Sequence, residues 1–301
     1  MADTLLQPAF ADDRFAGSTP RARLRRASRL ARRQPLGVFG VLVLLAFVVF
    51  AVFGPAFAPY DPRELRAGPP LASPSWEHPF GTNQLGQDML SRVIAGARIS
   101  AMIGFSSVLL GGGIGVLVGT VSGYFGRWVD YLIQRTGEAF TAFPALVLYL
   151  LLITALGPGV RTIIIAIAVF SLFGGSRVMR SIAIVERNQP YVMAAHSVGC
   201  SELRVFFRHI FPNVLPLAVV LISTSLGGAI LAESALAFIG LGVEPGTPSW
   251  GIDMSGDNLS SARTGAWHLV VFPGIAISLV VLAANLFGDA LRDIWDPRMR
   301  R

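Results

Sequence analysis

Residues 190–216 read PYVMAAHSVGCSELRVFFRHIFPNVLP, a polar, basic and helix-prone segment in a chain that otherwise consists mostly of long apolar runs. Asn188 and Pro190 predict the start of a helix, because the missing N–H of proline costs little in a first turn. Gly199 suits the C′ position of that helix, where a positive φ is needed. Ser201 is a good N-cap for a second helix. The segment therefore predicts a helix, a glycine turn and a second helix.

The two predicted helices differ in the surfaces they present. The first helix and its turn carry small residues that would let another protein approach closely: Ala194, Ala195 and Gly199. The second helix places four apolar residues at helical spacing on one face, namely Leu203, Phe206, Phe207 and Ile210. An interfacial helix that rests on lipid headgroups would show a similar pattern. The pattern alone therefore leaves protein docking and membrane binding open.

The composition places the chain among membrane proteins. Of its 301 residues, 53% are hydrophobic and 14% are charged, whereas soluble proteins carry about 25% charged residues. The net charge is +7, but most of the arginines lie in an N-terminal cluster and in short loops, so nucleic-acid binding is not indicated. The single cysteine, Cys200, excludes an intrachain disulfide, and the spacing of the four histidines predicts no metal site.

Six apolar runs predict an all-α integral membrane protein, because each is long enough to cross a hydrocarbon core of about 30 Å. We do not expect the first run to be a cleaved signal peptide, since it is too long and Pro59 follows the signal-like Ala56-Phe57-Ala58. Pro212 and Pro216 mark the start of the fifth span. The predicted spans are 35–58, 99–123, 139–157, 161–182, 213–239 and 268–291.

The distribution of arginine predicts the orientation. The Arg-rich residues 1–33 are expected to stay in the cytoplasm, and six spans then return the C-terminus to the same side. The loop 240–267 has more acidic than basic residues and is predicted to be external. Residues 183–212 therefore face the cytoplasm. The predicted organisation is a tail at 1–33, a first helix and external segment at 34–97, a transmembrane core at 98–291 and a tail at 292–301.

The run GGGIGVLVG at 111–119 looks like a phosphate-binding loop but lies inside an apolar span without a following Lys-Ser/Thr. Glycines recur there every four residues, which predicts a face for close helix packing in a membrane: Gly111, Gly115, Gly119 and Gly123. No Walker A sequence occurs in the chain. We therefore expect that the chain does not hydrolyse ATP and that any energy for transport comes from a partner.

Glu233 follows about twenty uncharged residues near the predicted outer end of the fifth span. A charge at membrane depth usually faces the bundle interior or a water-filled path. Glu233 is therefore either a candidate for the translocation path or a structural carboxylate that pairs with an arginine or caps backbone N–H groups. Arg177 and Arg180 are expected to extend towards the inner membrane surface.

Residues 190–212 resemble the EAA loop of bacterial ABC importer permeases: Met193-Ala194-Ala195, then Gly199, then Ile210-Phe211-Pro212. Met193 stands where the family pattern has Glu. Other collinear stretches resemble the C-type permease of dipeptide and oligopeptide importers, although Gln87 stands where that subfamily commonly has Arg. These stretches are HPFGTNQLGQDMLSR at 78–92, GYFGRWVD at 123–130, ESALAFIGLGVEPGTPSWG at 233–251 and NLFGDALRDIWDPR at 285–298.

This resemblance implies a type I ABC importer permease fold, with one N-terminal helix ahead of a five-helix core. It implies that a coupling loop at 183–212 docks on a separate ATPase through Met193, Ala194, Ala195, Gly199, Ser201, Glu202, Arg204, Ile210 and Pro212. The implied partners in the bacterial inner membrane are a companion permease, two ATPase subunits that carry ATP and Mg²⁺, and an external binding protein that delivers short peptides. This chain itself is expected to bind no cofactor.

Three other functions remain open at this point. Related permeases of the same class serve nickel or glutathione importers. An ion-coupled secondary transporter is disfavoured by the few intramembrane acidic residues and by the lack of an evident inverted repeat. A structural membrane scaffold would bind partners but transport nothing.

Overall fold

The structure is a computed structural model that describes residues 34–244 and 246–295. The predicted N-terminal tail at 1–33 and residues 296–301 of the predicted C-terminal tail lie outside these ranges. Within them the regular structure is helical, apart from one isolated bridge between Thr82 and Asp88. The helices are α1 Pro35–Phe57, α2 Met89–Phe125, α3 Arg127–Thr141, α4 Ala145–Leu156, α5 Val160–Arg187, α6 Pro190–Ser197, α7 Glu202–Phe238, α8 Trp250–Asp253, α9 Gly256–Arg263 and α10 His268–Trp295.

Five helices in the described ranges are long and apolar enough to cross a membrane: α1, α2, α5, α7 and α10. The bent pair α3 and α4 passes the same test as one broken span, which gives six. Large apolar side chains point outward from these helices; Leu42, Leu45 and Phe53 of α1 are each 58–59% exposed. Such exposure is expected where lipid is the solvent. The predicted all-α membrane fold is therefore confirmed, with five candidate spans, or six if the bent pair counts as one.

The predicted span at 139–157 is not one continuous helix: residues 139–141 are the end of α3, and residues 145–156 form α4. α3 and α4 meet at an angle of 89°, and Pro144 is the N-cap of α4. α4 has 12 residues and is about 18 Å long, which is shorter than the hydrocarbon core. Hydropathy missed the bend because it measures the composition of a window and not the direction of its backbone.

The start of the fifth span is also different from the prediction. The predicted second helix of the 188–212 segment and the span at 213–239 form one continuous helix, α7. A π-helical turn at Phe206–Ile210 ends two residues before Pro212, and the helix continues through both Pro212 and Pro216. Membrane helices tolerate proline because local π adjustments and neighbouring groups satisfy the affected backbone. A movement of the segment can therefore pass directly into a transmembrane helix.

The glycine face of α2 packs against α5. Any Cβ atom added at Gly111, Gly115, Gly119 or Gly123 would overlap the backbone of α5. The α5 residues whose carbonyl oxygens lie closest also recur every four positions, namely Ala168, Leu172, Ser176 and Arg180. This is a contact in which the two backbones approach closely along four turns, as expected for a face of small residues in a membrane.

The short helix α8 is buried between α2 and α7 at the end of the bundle opposite to α6. Trp250 is 3% exposed, and its Nε1–H donates to the carbonyl oxygen of Val93 at 2.7 Å. Asp253 accepts hydrogen bonds from Arg92 Nε at 2.8 Å, and both side chains are almost fully buried. These contacts join the loop after α7 to the start of α2.

Candidate functional site

The helix α6 begins and ends as its sequence predicts. Pro190 stands in the first turn, and Gly199 has a φ of +81°. The Gly199 N–H donates to the carbonyl oxygen of His196, and the Cys200 N–H donates to that of Ala195. This pair of bonds is a Schellman motif, which satisfies carbonyl groups at the helix end. Gly199 therefore fixes the direction in which the chain turns towards α7.

One face of α6 is buried in the protein's own core. Val192 is 1% exposed and Ala195 is 9% exposed. They pack in one cluster with Tyr124 at the end of α2 and with Phe206 and Ile210 at the start of α7. α6 is therefore packed against the bundle and is not a freely moving loop.

Polar contacts add to this packing. The Tyr191 hydroxyl donates to Glu186 Oε1 on α5 and accepts a hydrogen bond from Asn213 Nδ2 on α7 at 3.0 Å. Burial, together with the hydrogen bond to Glu186, raises the pKa of Tyr191 to about 12, so this phenol remains a donor at neutral pH. The Tyr124 hydroxyl of α2 donates to Glu202 Oε2, at the start of α7, at 2.7 Å. The segment is therefore joined to three transmembrane helices.

The opposite face of the segment is exposed and largely apolar. Its largest apolar side chains have exposed fractions of 59% at Met193, 79% at Val198, 63% at Leu203 and 61% at Phe207. We call these four residues, together with Ala194, the exposed face. The other exposed residues around them are His196, Ser197, Gly199, Ser201, Glu202, Arg204, Arg208 and Pro212.

Two details of the predicted surfaces are wrong. The small residues do not form one surface, because Ala195 turns into the core while Ala194 and Gly199 stay exposed. The four apolar residues of the second helix split between two faces: Phe206 and Ile210 are buried, whereas Leu203 and Phe207 are exposed. Ser201 is the N-cap of α7, but its side chain makes no capping hydrogen bond. Met193, at the position of the family's Glu, is on the surface.

Glu233 lies at the other end of α7 and is 1% exposed. Its carboxylate accepts hydrogen bonds from three serine hydroxyls: Ser100 at 2.9 Å, Ser249 at 3.0 Å and Ser234 at 3.3 Å. These serines belong to α2, to the loop before α8 and to α7. The geometry favours the structural interpretation of Glu233, with serine hydroxyls in place of the arginine or backbone N–H groups expected from the sequence.

Several residues that hold the site together were not found from the sequence. Arg180 donates through its Nη2 to Asp130 Oδ2 at 2.6 Å, a partner that the sequence does not identify. Tyr191 and Asn213 are 22 positions apart, and Arg92 and Asp253 are 161 apart. In the sequence, a charged residue within an apolar stretch indicates that it needs a partner. The sequence does not indicate which residue that partner is.

Comparison with known proteins gives the family. Residues 115–301 match the family described as binding-protein-dependent transport system inner membrane component. Residues 23–74 match the N-terminal transmembrane domain of oligopeptide transport permease C. The chain belongs to this family of transport-system permeases. The resemblance seen in its EAA-like loop is confirmed, and the fold is the type I ABC importer permease fold.

Individual relatives agree over nearly the whole chain. The dipeptide transport system permease protein DppC of Alkalihalophilus pseudofirmus is 35% identical over 289 residues, which cover 96% of this chain and 93% of the relative. The glutathione transport system permease protein GsiD of Shigella dysenteriae serotype 1 is 38% identical over 273 residues, which cover 90% and 89%. GsiD of Escherichia coli O157:H7 is 38% identical over 276 residues. The chain is thus an ABC importer permease of the DppC/OppC type and a multi-pass membrane protein.

Proposed function

We propose that this permease moves short peptides into the cell by alternating access and that separate ATPase subunits drive it. The similar permeases are named for a dipeptide and for glutathione, which is itself a tripeptide, so an amide backbone is common to both substrates. ATP and Mg²⁺ bind to the ATPase subunits in this proposal, and this chain binds no cofactor and has no catalytic site. A glutathione importer remains within the same proposal, whereas a nickel importer and an ion-coupled transporter are the alternatives that the experiment must separate.

The observation that carries the proposal is the exposed face on a firmly held helix. A surface of apolar side chains beside arginines is suited to a protein partner whose groove excludes water from it. Because Tyr191 joins α6 to α5 and α7, a push on the exposed face would move these helices together. We therefore assign the segment the role of the coupling helix, and the exposed face the contact with the ATPase.

Charge supports an orientation with the coupling helix in the cytoplasm. Around the segment and the neighbouring connections lie Arg127, Arg187, Arg204 and Arg208. At the opposite end, the loop 240–267 carries Glu244, Asp253 and Asp257 against a single arginine, Arg263, whereas the segment 59–88 holds charges of both signs. Positive residues mark the cytoplasmic side of membrane proteins. Both termini are therefore proposed to be cytoplasmic.

The remaining partners follow from the class of importer. A second, homologous permease would complete the pathway, two ATPase subunits would power it, and an external binding protein would deliver the peptide. In this arrangement, ATP binding closes the ATPase pair, the coupling helices follow, and the permease pair opens outward to receive the peptide. Hydrolysis then restores the inward-facing state.

Glu233 has a positioning role in this proposal. Its three serine partners join α2, α7 and the loop before α8, so the carboxylate holds that loop against the bundle. We assign it to the stability of the external end and not to the wall of the translocation path.

The test uses the tagged permease, purified gently with its co-purifying subunits and reconstituted in lipid. We expect ATP hydrolysis that rises when the binding protein is loaded with di- to pentapeptides. If Ni²⁺ alone stimulated ATP hydrolysis, the substrate would be a metal ion and not a peptide. Peptide uptake that needs no ATP and collapses with an ionophore would refute the ABC mechanism in favour of an ion-coupled transporter.

A further inference from the structure

A groove of about 290 Å³ lies between α4, α5 and α7, apart from the coupling helix and from Glu233. Its lining includes Ser171 of α5 and Ser225 of α7. Ser171 lies close to the middle of α5, and Ser225 lies close to the middle of the part of α7 that follows the π-helical turn, Phe211–Phe238. Its volume is close to the lower bound of about 300 Å³ for small-molecule sites. The groove is therefore at the depth where a transported molecule must pass.

The groove has an open side formed by glycine. In the described part of the chain, a Cβ atom added at Gly174 or Gly228 would meet nothing within 4 Å beyond its own chain neighbours and the backbone of its own helix. This differs from the glycine face of α2, where every added Cβ would overlap the backbone of α5. Gly174 and Gly228 therefore do not serve helix packing within this chain, and they leave space beside α5 and α7.

Two side chains that line this groove have hydroxyls without a hydrogen-bond partner in the described residues. Tyr149 of α4 is 7% exposed, its ring packs edge-to-face on Phe170 with centroids 5.9 Å apart, and it lines the groove. Its hydroxyl makes no hydrogen bond to any residue in the described part of the chain, and neither does the hydroxyl of Ser171. In the described residues, the buried side-chain atoms that lack a partner lie elsewhere, at Ser107 Oγ and Asp253 Oδ2. The hydroxyls of Tyr149 and Ser171 therefore reach the open space of the groove and can form hydrogen bonds with a molecule in it.

We propose that Tyr149 and Ser171 form a contact site for the backbone of the transported peptide; this deepens the proposed function and rests on it. Two neutral hydroxyls match amide carbonyl and N–H groups, which every peptide carries whatever its side chains. The groove's lining contains no charged side chain, so the site selects for the amide backbone and not for a charged terminus. Contact with an uncharged, repeated group would allow binding without sequence preference.

A second groove in the same protein provides the comparison. It is lined almost entirely by apolar side chains of α1, α2, α7 and α10, such as Leu45 and Phe105, and its serine, Ser223, donates to the carbonyl oxygen of Val219. Ser223 is two positions from Ser225 on α7 and lines the second groove instead of the first. A cysteine at position 223 is therefore the control for a cysteine at position 171. Both replace a serine of a membrane helix, but only position 171 lines the first groove.

The experiment uses the complete importer in lipid nanodiscs with native Cys200 replaced by serine. Ser171→Cys and Ser223→Cys are treated with a charged, membrane-impermeant thiol reagent, with and without dialanine delivered by the binding protein. We expect the thiol at position 171 to react at least ten times faster than the thiol at position 223, and dialanine to slow the reaction at 171 alone. A lipid-filled groove, or one covered by the companion permease, would leave the thiol at 171 as slow as that at 223 and indifferent to dialanine, which would overturn the proposal.

A second variant tests the hydroxyl itself. Tyr149→Phe keeps the ring on Phe170 and removes only one hydroxyl, so its apparent KM for dialanine uptake should rise about two- to tenfold, as expected for the loss of one neutral hydrogen bond. An unchanged KM would contradict the assignment of Tyr149. Uptake of dialanine and of glutathione by the wild-type complex is measured first, and the peptide that is taken up is used in both experiments. Absence of uptake of both would refute the proposed function, whereas uptake with an inert thiol at 171 and an unchanged KM would refute the contact site alone.

Discussion

The glycine face of α2 allows a prediction with an internal control. In Gly119→Ala, the new methyl group would lie 2.8 Å from Ser176 Cα and 2.9 Å from Met179 Cβ and would overlap the Ser176 carbonyl oxygen, so α2 and α5 must separate. In Gly113→Ala, on the same helix, no atom lies within 4 Å of the new methyl group. Both variants gain about 1 kcal/mol of helix propensity. Their difference, about 1–3 kcal/mol, is therefore the cost of overpacking.

The assay is the temperature at which the purified permease in nanodiscs loses its monodisperse state. At about 2–4 °C per kcal/mol, Gly119→Ala should melt roughly 2–12 °C below Gly113→Ala. Gly113→Ala should melt at or slightly above the wild type. Equal melting temperatures for the two alanine variants would show that the backbones do not approach as closely at Gly119 as described, and would refute the reasoning.

Three further predictions follow from the buried contacts. Arg92→Leu leaves Asp253 buried without its cation and should cost about 3–5 kcal/mol, whereas the double variant with Asp253→Leu should recover stability; an equally unstable double variant would contradict this. Tyr191→Phe removes the hydroxyl that joins α5 to α7, so peptides transported per ATP should fall while assembly persists; an unchanged ratio would exclude this link. Glu233→Gln should preserve peptide uptake once assembled, and lost uptake by an intact complex would return Glu233 to the path.

The elements read best from the sequence are those fixed by local chemistry. Gly199 adopts the positive φ that its place after the PYVMAAHS helix predicts, because a helix end in this conformation favours glycine whatever surrounds it. The four-residue glycine spacing in α2 likewise indicates a face that only a close neighbour can cover. Each of these features depends on a few residues that are close together in the sequence.

The elements missed depend on direction or on distant partners. The chain turns by 89° between α3 and α4, and an average hydropathy does not report a direction. The inward turn of Ala195 depends on packing with Tyr124 and Phe206, which come from other helices. Glu233 shows the same limit: its charge was visible in the sequence, but its three serine partners come together only in the fold.

The measurement that tests the central claim most directly is cross-linking of the exposed face to the ATPase. In the complete complex with Cys200→Ser, Ala194→Cys should form a short bifunctional maleimide cross-link to an ATPase subunit carrying cysteines in its docking groove. Leu132→Cys, on α3 and 59% exposed, is the control and should form none. We predict a cross-linked product at position 194 whose yield changes when ATP binds. No product at 194, or equal yields at 194 and 132, would contradict the docking of the coupling helix on the ATPase.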